Sequence, residues 1–213
     1  MKRLGLLGGT FNPVHFAHLR LAEVVREALQ LDRVFFVPAG DPPLKSDHLA
    51  PARDRLAMVE RAIEDHPDFG ALDLEVRRPG KSYTVDTLAE LTTHFAGDSL
   101  WFVLGADALA ELDAWRDSAR LFELANFAYV ERPGSAREPK ELLPARLQAD
   151  FQVAPNGLRH RSGHELRRVA LEPLGISATH VRACVARGAS IRYLVPDGVI
   201  QYIDDHQLYR EPV

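Results

Sequence analysis

LGLLGGTFNPVHFAHLRLAEVVREAL, residues 4 to 29, decides the fold. Leu4 to Leu7 is a short apolar run, and Gly8 and Gly9 follow it. From His18 to Leu29 the apolar residues Leu19, Leu21, Ala22, Val25, Ala28 and Leu29 recur at helical spacing. A strand, a glycine corner and a helix in that order open a parallel α/β sheet. The corner aims backbone N–H groups into the crevice beyond the strand, an arrangement that favours a phosphate. GLLGGT matches neither the G-x-G-x-x-G dinucleotide fingerprint nor the G-x-x-x-x-G-K-[ST] loop. His15 and His18, three apart, are neighbours on the first helical turn. The positive end of the helix dipole favours their neutral form, whereas a bound polyphosphate favours the charged one. The pair is therefore placed to respond to phosphate.

Outward from this unit the alternation continues. Arg33 to Val37 (RVFFV) is an unalternating apolar strand of the kind buried on both faces. Pro38 to Pro51 is a proline-rich polar loop, and Pro51 suits the first turn of a helix through Arg55, Met58, Val59 and Ile63. Ala71 to Val76 is expected as a third strand, Val85 to Phe95 as a helix, and Leu100 to Leu104 as a fourth strand. A helix near Ala119 to Leu124 precedes a fifth strand, Phe127 to Val130. The predicted class is α/β, a Rossmann-like doubly wound parallel sheet with a small C-terminal helical part. Ligands on such sheets sit beyond the carboxyl ends of the strands, so the loops after Leu7, Val37, Leu104 and Val130 are the places to look. From Arg132 to Arg168 the periodicity fades, and eight Lys/Arg stand against four Asp/Glu. A solvated, partly flexible excursion is expected there. Beyond it, Val169 to Leu171 reads as a last strand, with helices over Thr179 to Arg187 and Pro196 to Asp205.

At 213 residues the chain suits one domain: a core over 1–134, the variable excursion over 135–168, and helices over 169–213. A net charge of −4 does not favour binding to nucleic acid. The single cysteine, Cys184, leaves no intrachain disulfide and no cysteine-rich zinc site, which suits a reducing compartment. No apolar run approaches a signal-peptide core or a membrane span, so a cytoplasmic protein is expected. A homo-oligomer is left open.

A second motif lies far along the chain in ISATHVRACVARG, residues 176 to 188. Ser177 or Thr179 can cap a helix starting near His180, its amino terminus can seat phosphate oxygens, and Arg182 lies within its first turn. Taken alone, this is also what a capped helix with a surface arginine looks like. Together the two stretches resemble the nucleotidylyltransferase superfamily, in its [ST]-F-[DN]-P-x-H-x-G-H and I-S-[ST]-T-x-[IV]-R motifs. Ala17 stands where the first motif has glycine.

Further stretches narrow the resemblance: VPAGDPPLK (37–45), KSYTVDTL (81–88), LGADALAELDAW (104–115), ERPG (131–134) and YLVPDGVIQYIDDHQLY (193–209). In that order they are similar to the bacterial nicotinate-mononucleotide adenylyltransferases, over nearly all of the chain except 139–168. The resemblance implies that ATP and nicotinate mononucleotide give deamido-NAD and pyrophosphate, in NAD biosynthesis. It implies His15, His18 and Arg182 as catalytic. ATP would be held by Gly8, Gly9, Thr10, Phe11, Asn12, Gly105, Asp107, Arg132, Ile176, Ser177 and Thr179. The acceptor would be held by Lys45, Tyr83, Thr84, Trp115 and Arg116, with Trp115 stacking on the nicotinate ring. Several of these have plainer readings: Trp115 as core, Lys45 as a solvated lysine, Asp107 as a helix cap, Arg132 as the partner of a nearby acid. Mg²⁺ would arrive with the ATP phosphates, and no protein metal site is expected. Adenylyl transfer to phosphopantetheine is the nearest alternative, and a nucleotide-binding regulator without turnover is the alternative from another class.

Overall fold

A computed structural model of the chain describes residues 1–43, 49–131 and 138–210. The stretch that opens the sequence folds as read: β1 (Arg3–Gly9) runs into a glycine corner and then α1 (Phe16–Leu29). Next come β2 (Arg33–Pro38), α2 (Ala52–Ile63), β3 (Phe69–Ala71) and α3 (Leu74–Arg77). They are followed by α4 (Thr84–His94), β4 (Ser99–Gly105) and α5 (Ala106–Ala110), with a 3-10 turn at Leu112–Ala114. Then α6 (Ser118–Leu124), β5 (Asn126–Glu131), α7 (Ala145–Gln148), β6 (Phe151–Ala154), β7 (Gly157–His160) and β8 (Glu165–Ala170) precede α8 (Ala178–Ala186) and α9 (Asp197–Asp205). The strands form one mostly parallel sheet in the order β3-β2-β1-β4-β5-β8-β7-β6. None of the described helices is long and apolar enough to cross a membrane.

Two compact units interleave along the sequence. The first comprises Met1–Leu7, Val24–Val34 and Tyr83–Glu172; the second comprises Gly8–Glu23, Phe35–Ser82 and Pro173–Val213. In the first, β1, β4, β5 and β8 pair in parallel, from Arg3 opposite Ser99 across to Phe127 opposite Leu166. Leu6, Phe102, Phe127, Ala128, Tyr129 and Leu166 are buried, as strands covered on both faces require. Trp101, only 2% exposed, has the Arg3 and Arg167 guanidinium groups at 5.2 and 5.1 Å from its ring centroid. In the second unit, α2 and α9 bury Met58, Val59, Val199 and Ile203. The Tyr202 hydroxyl donates to Asp54 Oδ1 at 2.9 Å, and burial, then this bond, push that phenol up to about 12.

Three expectations are corrected. Residues 71–76 are not a strand: β3 ends at Ala71 and residues 74–77 form a helical turn. The Leu72 N–H makes its bond to the Phe36 carbonyl, and the backbone then turns until the Glu75 carbonyl lies against Gly40, where a Cβ would be 2.1 Å away. An i,i+4 pair of Arg77 and Asp73 at 3.0 Å supports the turn. The described part of the excursion, residues 138–168, is ordered. It buries Leu142, Leu143, Leu147, Phe151 and Leu158, and β6 and β7 form an antiparallel hairpin beside β8. The last strand accordingly starts at Glu165, earlier than the expected Val169.

Candidate active site

The corner after β1 is shaped by Phe11. Its backbone is left-handed at φ 47°, and its ring lies so close over Gly9 that a Cβ there would meet it at 2.9 Å. Gly9 is thus required by contact, and Phe11 by what it covers: its buried ring sits 5.6 Å from Phe36 and edge-on to His18 at 5.1 Å. Gly8 is exposed beside it, and Thr10 is half-buried.

His15 and His18 follow as stacked imidazoles, with centroids 3.7 Å apart and planes 22° from parallel. The His15 N–H donates to His18 Nδ1 at 3.3 Å. In a neutral His18 the ring proton is therefore assigned to Nε2, leaving that nitrogen as a donor. His15 is 5% exposed, and burial lowers its pKa to about 4, opposed only by a weak bond with its own backbone. Its Nδ1 is buried without a well-formed partner among the described residues. At neutral pH the free protein thus holds an uncharged imidazole that an incoming anion would pull toward protonation.

The second motif reaches the same turn from the other end of the chain. Ser177 is the N-cap of α8, its Oγ accepting from the His180 N–H at 3.2 Å, while its own hydroxyl proton remains available to donate. Ile176 is half-buried and Thr179 exposed. Arg182, two turns into the motif, sends Nη1 to the Asn12 carbonyl at 2.9 Å, and its Nε is buried without a partner among the described residues. Imidazoles and a guanidinium thus gather around one turn, a set of donors suited to oxyanions.

Two residues passed over in the sequence hold that turn. Arg55 donates from Nη1 to the Thr10 carbonyl at 2.7 Å, from Nη2 to Gly40 at 2.9 Å, and from Nε to Ala50 at 2.9 Å. The Tyr209 hydroxyl donates to Asn12 Oδ1 at 2.8 Å, and the Ala50 N–H donates to the same oxygen at 3.0 Å. The sequence places Arg55 in the helix after Pro51 and Tyr209 at the end of the stretch 193–209, but gives neither a role at this turn. Arg55 sits in an amphipathic helix where an arginine reads as surface, and Tyr209 lies in a terminal turn.

The other expected residues belong to the first unit. Tyr83 precedes α4 and Thr84 begins it, with no side-chain cap on the helix start. The Arg116 guanidinium lies 4.8 Å from the Tyr83 ring centroid and pairs with Asp86 at 3.2 Å. Trp115 is half-buried, its ring T-shaped to Phe102 at 6.5 Å. Gly105 and Asp107 are exposed at the start of α5; the cap position there is Gly105, so Asp107 does not cap the helix. Lys45 and Arg132 lie outside the described residues.

Beside a parallel sheet whose first corner carries this histidine pair, a family model described as cytidylyltransferase-like matches residues 6–184, which sets the class of the chain. A "Probable nicotinate-nucleotide adenylyltransferase" of Syntrophotalea carbinolica is 50% identical, over 98% of this chain and 97% of its own length. One of the same description from Trichlorobacter lovleyi is 48% identical, over 98% and 99%. A solved structure of Plasmodium falciparum nicotinic acid mononucleotide adenylyltransferase complexed with NaAD shares the fold, with a TM-score of 0.75 at 18% identity over 100% of this chain and 99% of that one. The chain belongs to the nicotinate-nucleotide adenylyltransferase family.

Proposed function

We propose that the protein joins ATP to nicotinate mononucleotide, giving deamido-NAD and pyrophosphate in NAD biosynthesis. The observation that carries this reading is the gathering of His15, His18 and Arg182 around the Asn12 turn. Membership of the nicotinate-nucleotide adenylyltransferase family supports the choice of acceptor. An acceptor phosphate oxygen attacks the α-phosphorus, a new P–O bond forms, and the bond to the bridging oxygen breaks to release pyrophosphate. The nucleophile is anionic already, so no general base is needed; the barrier is anion meeting anion. Alignment and charge neutralisation lower it.

The backbone from Gly8 to Phe11, with Asn12, holds the nucleotide, and His15 and His18 donate to the α-phosphate and bridging oxygens. Arg182, Ser177 and Thr179 take the β- and γ-phosphates, with Ile176 beside them. Asp107, next to Gly105, accepts from ribose hydroxyls. The uncapped start of α4 at Tyr83 and Thr84 donates N–H groups to the nicotinate carboxylate, Trp115 stacks on its ring, and Arg116 borders it. Lys45 and Arg132, outside the described residues, meet acceptor and ATP phosphate. Mg²⁺ would arrive with the ATP phosphates and would supply charge screening there. Among the described residues no three His, Cys, Asp or Glu side chains are arranged to hold an ion, whereas the N–H donors around Asn12 suit its phosphate companions. We place this work in the cytoplasm, with no nucleic acid partner.

A panel of phosphorylated acceptors with ATP, read by pyrophosphate release, tests the proposal. Nicotinate mononucleotide is expected to give the highest kcat/KM. Preference for phosphopantetheine, or ATP binding with no pyrophosphate from any acceptor, would overturn it.

A further inference from the structure

The turn at Thr10–Asn12 cannot hold its shape by local preference. Phe11 is a non-glycine residue in the left-handed region, a conformation that L-residues rarely adopt unaided. Such conformations persist where the surroundings over-determine them. Here the surroundings are a closed ring of hydrogen bonds. Arg55 Nη1 holds the Thr10 carbonyl just before Phe11, and Asn12 just after it is held through its side-chain oxygen by Tyr209 and by the Ala50 N–H. Ala50 closes the ring, because its carbonyl accepts from Arg55 Nε.

Both holders carry signs of a role beyond filling space. Arg55 is 1% exposed, and each of its guanidinium nitrogens is spent on a backbone carbonyl. Burial lowers its pKa, and the carboxylate of Glu75 acts against that through charge. A buried charge is costly to keep, and an apolar side chain would fill the space at less cost. What the charge supplies is direction: three carbonyls from three chain segments, fixed by one planar group. Tyr209 is itself left-handed at φ 61°, as is Gln207 at φ 53°. Two such non-glycine residues in the terminal turn mean that this segment, too, is held against its own preference.

We propose that Arg55 and Tyr209 are positioning residues that lock the Thr10–Asn12 turn, and with it the Asn12 carbonyl that orients Arg182, for the triphosphate. The lock stands on geometry; its effect on turnover rests on the adenylyl-transfer reading. Tyr209→Phe deletes one hydroxyl and keeps the ring. In it kcat is expected to fall about three- to tenfold, the scale of one hydrogen bond, with the KM of either substrate within twofold. Arg55→Lys keeps the charge but loses the planar fork, and a fall of about a hundredfold or more is expected. Independently of activity, amide hydrogen exchange of the free protein is expected to speed up across residues 8–14 in Tyr209→Phe, with β4 and β5 unchanged. If Arg55→Lys does not fold, Tyr209→Phe decides. Unchanged exchange over 8–14 would overturn the lock, whatever the reaction proves to be. Faster exchange with kcat within twofold of wild type would overturn the link to turnover. A wild-type protein inactive on nicotinate mononucleotide would instead count against the adenylyl-transfer reading and leave the exchange result to judge the lock.

Discussion

His15 is the residue whose charge state ties the fold to pH. Its folded pKa of about 4 lies below the ordinary value of 6.5, so the unfolded chain binds the proton more readily. Stability is therefore lost as pH falls from about 6.5 toward 4, and no further loss from this group occurs below that. Between pH 7 and 5 the loss is about 1–2 kcal/mol. Denaturant midpoints of wild type and His15→Asn at both pH values check this, the variant being expected to lack that part of the acid loss. His18, outside the deepest burial, is the one to remove for chemistry. His18→Ala is expected to stay folded and to lose about 10²–10³ in turnover, the scale of one preorganised donor. At this scale the sequence was informative because two histidines three apart at a helix start can only share a face. It was silent on Arg55 and Tyr209, whose partners are backbone carbonyls and an amide from distant segments.

Among the elements, α8 shows how little is needed to bring a distant motif into register. Ser177 caps it, His180 receives the cap, and Arg182 reaches Asn12 from the following turn. Ser177→Ala should cost about 1 kcal/mol of stability and fray the turn that carries Arg182. Circular dichroism and a denaturant midpoint check the loss, and a rise in the KM for ATP larger than that for the acceptor checks its location. The strands beyond β5 were harder to read. β6 and β7 have four residues each, too few to display alternation, and the loop between them is only Pro155-Asn156, with Gly157 after it at φ 141°, where a Cβ would meet the Leu166 carbonyl at 2.2 Å. Residues 71–76 misled in the opposite way. L-D-L-E-V-R follows Ala71 with an alternation that fits a strand, while the packing against Gly40 that bends it into a helical turn is a long-range contact.

For the whole molecule, the order of apolar runs was enough to give a parallel sheet, because strands buried on both faces leave unbroken apolar letters such as LGLL, RVFFV and LWFVL. How the chain is apportioned between two interleaved units was not, since neither unit is continuous in sequence. The two tryptophans differ in surroundings, and that difference has a practical use. Trp101 is sealed between two guanidinium groups, whereas Trp115 is half open. Ultraviolet-excited emission should therefore split into a component that iodide cannot quench and one that it can. On the proposed stacking, nicotinate mononucleotide is expected to dim only the quenchable part, and Trp115→Phe to abolish the response, a readout by light alone, without label or turnover.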